Sequence, residues 1–310
     1  MQVVLDVALP VFAIVIAGYA GGRTVLGQAS SGALSAFVYW FALPGVLFLG
    51  MARQKLDDIF NLPFIGAFLG AMLAVYALGG LLGRVLHRDR SEVHSMQALN
   101  AAFSNTGYMG IPLFLAAFGP ERLLPALIAT IIMSVVMVAL AIIWIELAQS
   151  AGNGIGHALA DVGKALVKNP LIVSSFAGLA WNLTGLPLPK PAVNFCQLIG
   201  AAAGPCALFA IGVFLAGRPL SLNWRAVGWM VPLKLVVQPL LTWALIVTLF
   251  PLDRFWTGSA LLLAALPTGA LTFVVASQYK VYVEETSQVI LLSTIASVPV
   301  LSVILVVYAG

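Results

Sequence analysis

Apolar residues in this chain come in long runs, and polar residues collect in the short gaps between them. The runs cover approximately residues 3–22, 30–51, 60–85, 92–119, 122–149, 169–186, 192–217, 224–250, 255–280 and 285–308. Each is close to or above the roughly 20 residues that a helix needs to cross the hydrocarbon core of a bilayer. They are continuous rather than alternating, so they predict helices and not the strands of a membrane barrel. The expected fold class is an all-α polytopic membrane protein with ten transmembrane helices. The longest gap, Ala151 to Lys168, carries a pattern of its own. Ile155, Leu159, Val162 and Leu166 recur at helical spacing, with His157, Asp161, Lys164 and Lys168 among them, which predicts a short amphipathic helix at the membrane interface.

Composition narrows the class further. Of 310 residues, 61% are apolar and 8% charged, where a soluble domain carries roughly 25% charged residues. That argues against a soluble enzyme, a nucleic-acid binder and a disordered chain. The net charge of +4 does not point to nucleic acid, because the basic residues form no dense patch. They sit in the gaps, where they act as topology signals. Nine lie on the side opposite the termini, Arg84, Arg88, Arg90, Lys164, Lys168 and Arg218 among them, and five lie on the side of the termini. The excess places the first set in the cytoplasm and both termini outside. No basic segment precedes the first apolar run at Val3, which argues against a cleaved signal peptide. Cys196 and Cys206 lie about 15 Å apart on one predicted helix, too far for a disulfide, and read as small buried residues.

A weak internal repeat runs through the chain at a spacing of 160 to 162 residues. Pro10 and Gly18 match Pro170 and Gly178, Pro44 matches Pro205, Asn61 and Gly66 match Asn223 and Gly228, and Thr106-Gly107 matches Thr268-Gly269. Five spans per copy is an odd number, so the second copy must insert upside down. The expected division is 1–150 as the first five-helix repeat, 151–168 as a cytoplasmic amphipathic linker and 169–310 as the second, inverted repeat. Inverted repeats are a construction of secondary transporters, with the site near the bilayer midplane where the copies meet.

The fourth and ninth runs are interrupted at equivalent places. The fourth contains Asn105-Thr106-Gly107 followed by Gly110 and Pro112, and the ninth contains Pro267-Thr268-Gly269 followed by Thr272. Proline and glycine break helices, and lipid cannot satisfy the backbone groups that are freed. Half-helix N-termini at such breaks carry partial positive charge and free N–H donors suited to a carboxylate, with Asn105, Thr106, Thr268 and Thr272 as additional donors. By the repeat offset Asn105 corresponds to Pro267, so the two half-sites are expected to be chemically unequal. Gly107, Pro112, Pro267 and Gly269 are the expected hinges.

Lys234 lies about 16 Å along the eighth span, near mid-membrane, where a charge costs at least about 2.5–3.5 kcal/mol. It is expected either to supply positive potential for an anionic substrate, with Gln238 beside it as a further binding residue, or to tether backbone carbonyls or Gln238. Its repeat counterpart is Met72. Carboxylates away from the end turns and the polar start of the fourth span are Asp6 and Glu146, each near a span end, so no carboxylate proton relay is evident. The spacing of His87, His94 and His157 makes neither a zinc site nor a nucleophile–base pair. No cofactor is expected, and H⁺ or Na⁺ remain open as coupling ions.

At Asn105-Thr-Gly-Tyr-Met-Gly-Ile-Pro112, Ala265-Leu-Pro-Thr-Gly269 and Phe273-Val-Val-Ala the chain resembles the auxin efflux carrier family, which includes plant auxin exporters and bacterial organic-acid permeases. The resemblance implies crossed, broken fourth and ninth helices. It also implies a scaffold of spans 1, 2, 6 and 7 forming a homodimer, and an elevator-like transport domain of spans 3–5 and 8–10. The implied substrate is an organic anion, auxin-like or malate- or malonate-like, surrounded by Asn105, Pro112, Pro267 and their neighbours. The short 151–168 connection departs from the long loop of the plant exporters and favours a permease of a bacterial inner membrane. The rival readings are a sodium-coupled carrier like the bile-acid symporters, a passive channel and, least supported, a membrane-embedded enzyme.

Overall fold

A computed structural model describes residues 6–7, 9–27, 29–87, 90–149, 154–217 and 223–308. Val3, Arg88, Ala151 and Arg218, named above, lie outside the described residues, as do the side chains of Ile155, His157 and Asp161. The main helices are α1 (Leu9–Arg23), α2 (Ser30–Arg53), α3 (Leu62–Leu86), α4 (Ser91–Ala102), α5 (Thr106–Phe118), α6 (Leu124–Gln149) and α7 (Gly154–Lys168). They continue with α8 (Pro170–Leu183), α9 (Lys190–Ala216), α10 (Trp224–Thr248), α11 (Arg254–Ala264), α12 (Leu271–Tyr279) and α13 (Val283–Tyr308). Six of them, α2, α3, α6, α9, α10 and α13, are long and apolar enough to cross a membrane, and α1, α5 and α8 are shorter apolar helices.

Among the described residues every apolar run read from the sequence is helical, but four are not continuous. The eighth opens at Gly228 and Trp229, between Trp224–Val227 and Met230–Pro232. The fourth divides into α4 and α5 and the ninth into α11 and α12. The seventh opens at Ala202 between Lys190–Ala201 and Ala203–Ala216. Pro205 explains that opening, because its nitrogen has no hydrogen to give the carbonyl of Ala201. Proline leaves a second mark on the fold. Widened π-turns at Val38–Ala42, Thr106–Gly110 and Leu233–Val237 each come just before Pro44, Pro112 or Pro239. The wider turn moves the carbonyl four residues back out of the path of the proline ring.

Helix starts are fixed by short polar side chains. The Asn61 side-chain oxygen accepts from the Phe64 N–H at 3.0 Å, and Asn223 accepts from Ala226 at 3.3 Å. Asn169 accepts from Leu171 at 3.0 Å and Asp253 from Trp256 at 2.9 Å. Each satisfies an N–H that a helix otherwise leaves free.

Packing ties the early helices to the late ones. Helix α1 lies along the second half of α9, and α8 lies along the second half of α2. Gly18 and Gly178 make these approaches close. A β-carbon on Gly18 would come 2.2 Å from the Phe209 carbonyl oxygen, and one on Gly178 would come 2.4 Å from that of Phe48. Helix α3 packs on α4 and α10, and α13 packs on α11. The amphipathic gap forms α7, which packs against α6 and α8, with Val162 buried and Leu159 and Val167 exposed. Cys196 is buried as expected, whereas Cys206 is only half-buried; both thiols are free.

Gly18→Ala and Gly178→Ala should each force a helix pair apart and cost about 1–3 kcal/mol, the usual penalty of overpacking. Gly163→Ala, where the added methyl meets nothing within 4 Å, should cost nothing. Thermal unfolding of the detergent-purified variants measures both outcomes.

Candidate functional site

The two interrupted helices meet at their interruptions. Residues 103–105 leave α4 and residues 267–269 follow a turn at the end of α11, and the two stretches pair antiparallel about Ser104 and Thr268. The Asn105 N–H donates to the Pro267 carbonyl at 2.9 Å, and the Gly269 N–H donates to the Phe103 carbonyl at 3.1 Å. Asn105 therefore faces the residue that the repeat offset assigns to it. A β-carbon on Gly269 would lie 2.7 Å from the Phe103 ring, while one on Gly107 would meet nothing nearer than 3.6 Å. The approach demands glycine on one side of the crossing only.

Side chains complete what the backbone leaves. The Thr268 N–H donates to Ser293 Oγ at 3.0 Å, and its hydroxyl donates to the Asn100 carbonyl at 2.8 Å. Asn100 Nδ2 donates to Thr286 Oγ1 at 2.8 Å, and Thr272 Oγ1 donates to the Gly269 carbonyl at 2.9 Å. Lys234 stands in the π-turn of α10 and is fully buried. Its Nζ donates to the Ala264 carbonyl at 2.6 Å and to Ser104 Oγ at 2.9 Å. Gln238 Nε2 reaches the same hydroxyl at 3.4 Å.

The structure thus brings Asn105, Thr106, Gly107, Pro267, Thr268, Gly269, Lys234 and Gln238 into one buried cluster, with Thr272 on its α12 side. Pro112 lies a turn further along α5, against Gly204 of α9. Asn105 and Thr106 are almost wholly enclosed, and Thr268 and Thr272 have no exposed surface. Of the two roles expected for Lys234, the contacts observed are those of a tether.

A cavity of about 470 Å³ lies beside the crossing. Ser31, Gly32, Ser35, Tyr39 and Trp40 of α2 form one wall and Phe214 of α9 another. Tyr108 in the first turn of α5 and Ala270, Leu271, Phe273 and Val274 around the start of α12 form the rest. Residues of the first turns of both post-break helices therefore border one space, and helix N-termini favour negative charge. The Tyr108 hydroxyl donates to the Ser35 carbonyl at 3.0 Å across it. The expected site residues do not themselves line this cavity; Tyr108, Ala270, Leu271 and Phe273, which do, are their neighbours in the chain. Ser31, Ser35 and Tyr39 recur every fourth residue in an otherwise apolar span, and Tyr108 lies inside the Asn105–Pro112 motif. Those two signals are present in the sequence; none marks Phe214.

Apolar helices, two of them broken and crossed within the bundle beside a polar-edged cavity, make up the architecture of a membrane transporter. The chain belongs to the family described as Membrane transport protein, whose model matches residues 3–154 and 155–305. A protein of Rhizobium meliloti named "Putative malonate transporter" is 32% identical over 300 residues, covering 96% of this chain and 93% of its own length. A Methanothermobacter thermautotrophicus protein named "Uncharacterized transporter" is 26% identical over 307 residues, covering 97% of this chain and 98% of its own. Auxin efflux carrier component 6 of Arabidopsis thaliana is 29% identical over 150 residues, covering 46% of this chain and 26% of its own length. The resemblance to auxin efflux carriers read from the two broken motifs is borne out.

Thr268→Val should leave the Asn100 carbonyl without its donor at the crossing. The expected cost is about 1–3 kcal/mol, read as a lowered melting temperature, with Thr268→Ser close to the parent.

Proposed function

We propose that the chain is a carrier of small organic carboxylates, with a malonate- or malate-like acid as substrate. The observation that carries this reading is the convergence of the α5 and α12 first turns on one cavity, with Ser31, Ser35, Tyr39 and Tyr108 supplying hydroxyl or carbonyl groups around it. Two helix N-termini directed at one space suit a carboxylate without a formal positive charge. The name of the Rhizobium meliloti relative points to the same substrate class.

The mechanism is alternating access by an elevator-like movement in two inverted five-helix repeats, 1–150 and 169–310, joined by the 151–168 linker. Support comes from contacts that exchange between the halves. Gly18 packs on Phe209 as Gly178 packs on Phe48, and Asn61 caps α3 as Asn223 caps α10, all at the repeat offset. Helices α1, α2, α8 and α9 form the scaffold, through which a homodimer assembles. Helices α3–α6 and α10–α13 carry the crossing through the membrane against it. The chain makes ten crossings of a bacterial inner membrane with both termini outside. The cavity lies between α2 and α9 on one side and the crossing on the other, where such a movement would uncover it.

Counterflow in proteoliposomes with labelled malonate, malate and indole acetate tests the reading. Saturable exchange of one acid is expected. Gly32→Trp, which fills the cavity from a position with open space around it, should lower that exchange by at least about tenfold, equivalent to about 1.4 kcal/mol, while melting stays near the parent's. Asn105→Ala should also abolish exchange. Failure of every acid to exchange would overturn the organic-anion assignment.

A further inference from the structure

Lys234 is among the largest fully buried side chains of the protein, yet it does not line the cavity. Among the described residues no carboxylate pairs with it; the ion pair found there joins Arg90 to Glu92 at 3.2 Å. Its Nζ is held by neutral oxygens instead. One is the carbonyl of Ala264, the last residue of α11, where the terminal carbonyls of a helix carry partial negative charge. Another is Ser104 Oγ, in the extended segment of the opposite break. A third oxygen stands close by. Gln238, one turn further along α10, reaches the same Ser104 hydroxyl with its amide nitrogen, and its Oε1 is buried without a hydrogen-bond partner. A helix C-terminal carbonyl, a hydroxyl on extended backbone and a side-chain amide oxygen make up the kind of oxygen ligand set that broken-helix carriers present to Na⁺. Here Lys234 Nζ occupies it.

We propose that Lys234 is a tethered cation filling a monovalent-cation site at the crossing, so that the protein needs no bound metal ion there and works without sodium. Removing the side chain uncovers a site for Na⁺. The charge acts on the α11 terminus and on Ser104, holding the two breaks together, rather than on the substrate. At the equivalent position of the first half stands apolar Met72, so one such cation serves the crossing. The transport consequence rests on the carrier reading above; the binding consequence does not.

The test has two arms. In the first, detergent-purified protein is unfolded thermally in sodium chloride and in choline chloride of equal ionic strength. The parent should melt alike in both. Lys234→Ala should melt lower in choline and recover saturably with sodium, because a ligand that binds only the folded state raises its stability. Lys234→Met, whose side chain fills the space without supplying charge, should melt lower in both salts. Ser104→Ala added to Lys234→Ala should abolish the sodium response. In the second arm, counterflow of whichever acid the parent exchanges should be indifferent to sodium in the parent. In Lys234→Ala it should be at least about tenfold faster in sodium than in choline. A saturable sodium response in the parent would overturn the proposal, as would a Lys234→Ala protein that ignores sodium or is folded in neither salt. If the parent exchanges no acid, the carrier reading fails while the thermal arm still decides the cation site.

Discussion

Backbone that leaves a helix inside an apolar layer has no water to turn to, and each unpaired N–H or C=O there costs several kcal/mol. Both breaks in this chain face that constraint and each relieves the other. The N–H of Asn105 goes to Pro267 and the N–H of Gly269 to Phe103, so neither break is affordable alone. The rest of the arrangement follows from this exchange. Thr268 needs Ser293, which brings α13 against the crossing. The buried carbonyl of Ala264 at the end of α11 needs a donor, which brings Lys234 and with it α10. Gly269 must be glycine because the strands would otherwise be held apart by the Phe103 ring.

The same pairing divides the chemistry of the two faces of the crossing. Helices α4 and α11 end at it, presenting carbonyls, and α5 and α12 begin at it, presenting N–H groups. The carbonyl side meets Lys234 Nζ, and residues of the other side border the cavity. In the proposed reading a cation and a carboxylate find opposite faces of one structure. In the proposed mechanism the crossing can then move as a unit, because its internal electrostatics are satisfied before substrate arrives.

The breaks were legible in the sequence because Pro112, Pro267 and the glycines beside them cannot continue a helix, and their equivalence was legible through the repeat offset. The place of Lys234 midway along its helix was legible from span length alone. Its partners were not, because a backbone carbonyl such as that of Ala264 leaves no trace in composition. The cavity was half visible. Tyr108 stands within a motif already singled out, and Ser31, Ser35 and Tyr39 form a periodic face. Which helix that face meets depends on tertiary packing, as does the presence of Phe214. The opening at Ala202 was missed although Pro205 was noted, since a proline in an apolar run signals a kink only when the freed carbonyl finds no other donor.

The close contacts of Gly18 with Phe209 and of Gly178 with Phe48 bear on how the protein is made. Helices α1 and α2 are synthesised long before α9 and α8, the partners that cover their small-residue faces. Until the second half emerges, the first must wait in the bilayer with those faces against lipid and with the Phe103–Asn105 backbone unpaired. Assembly is therefore a late event in biosynthesis, completed only after the ninth apolar run is inserted. A nascent chain stalled before that point would hold the contacts of α3, α4 and α6 with one another but lack the partners of its glycine faces and broken backbone.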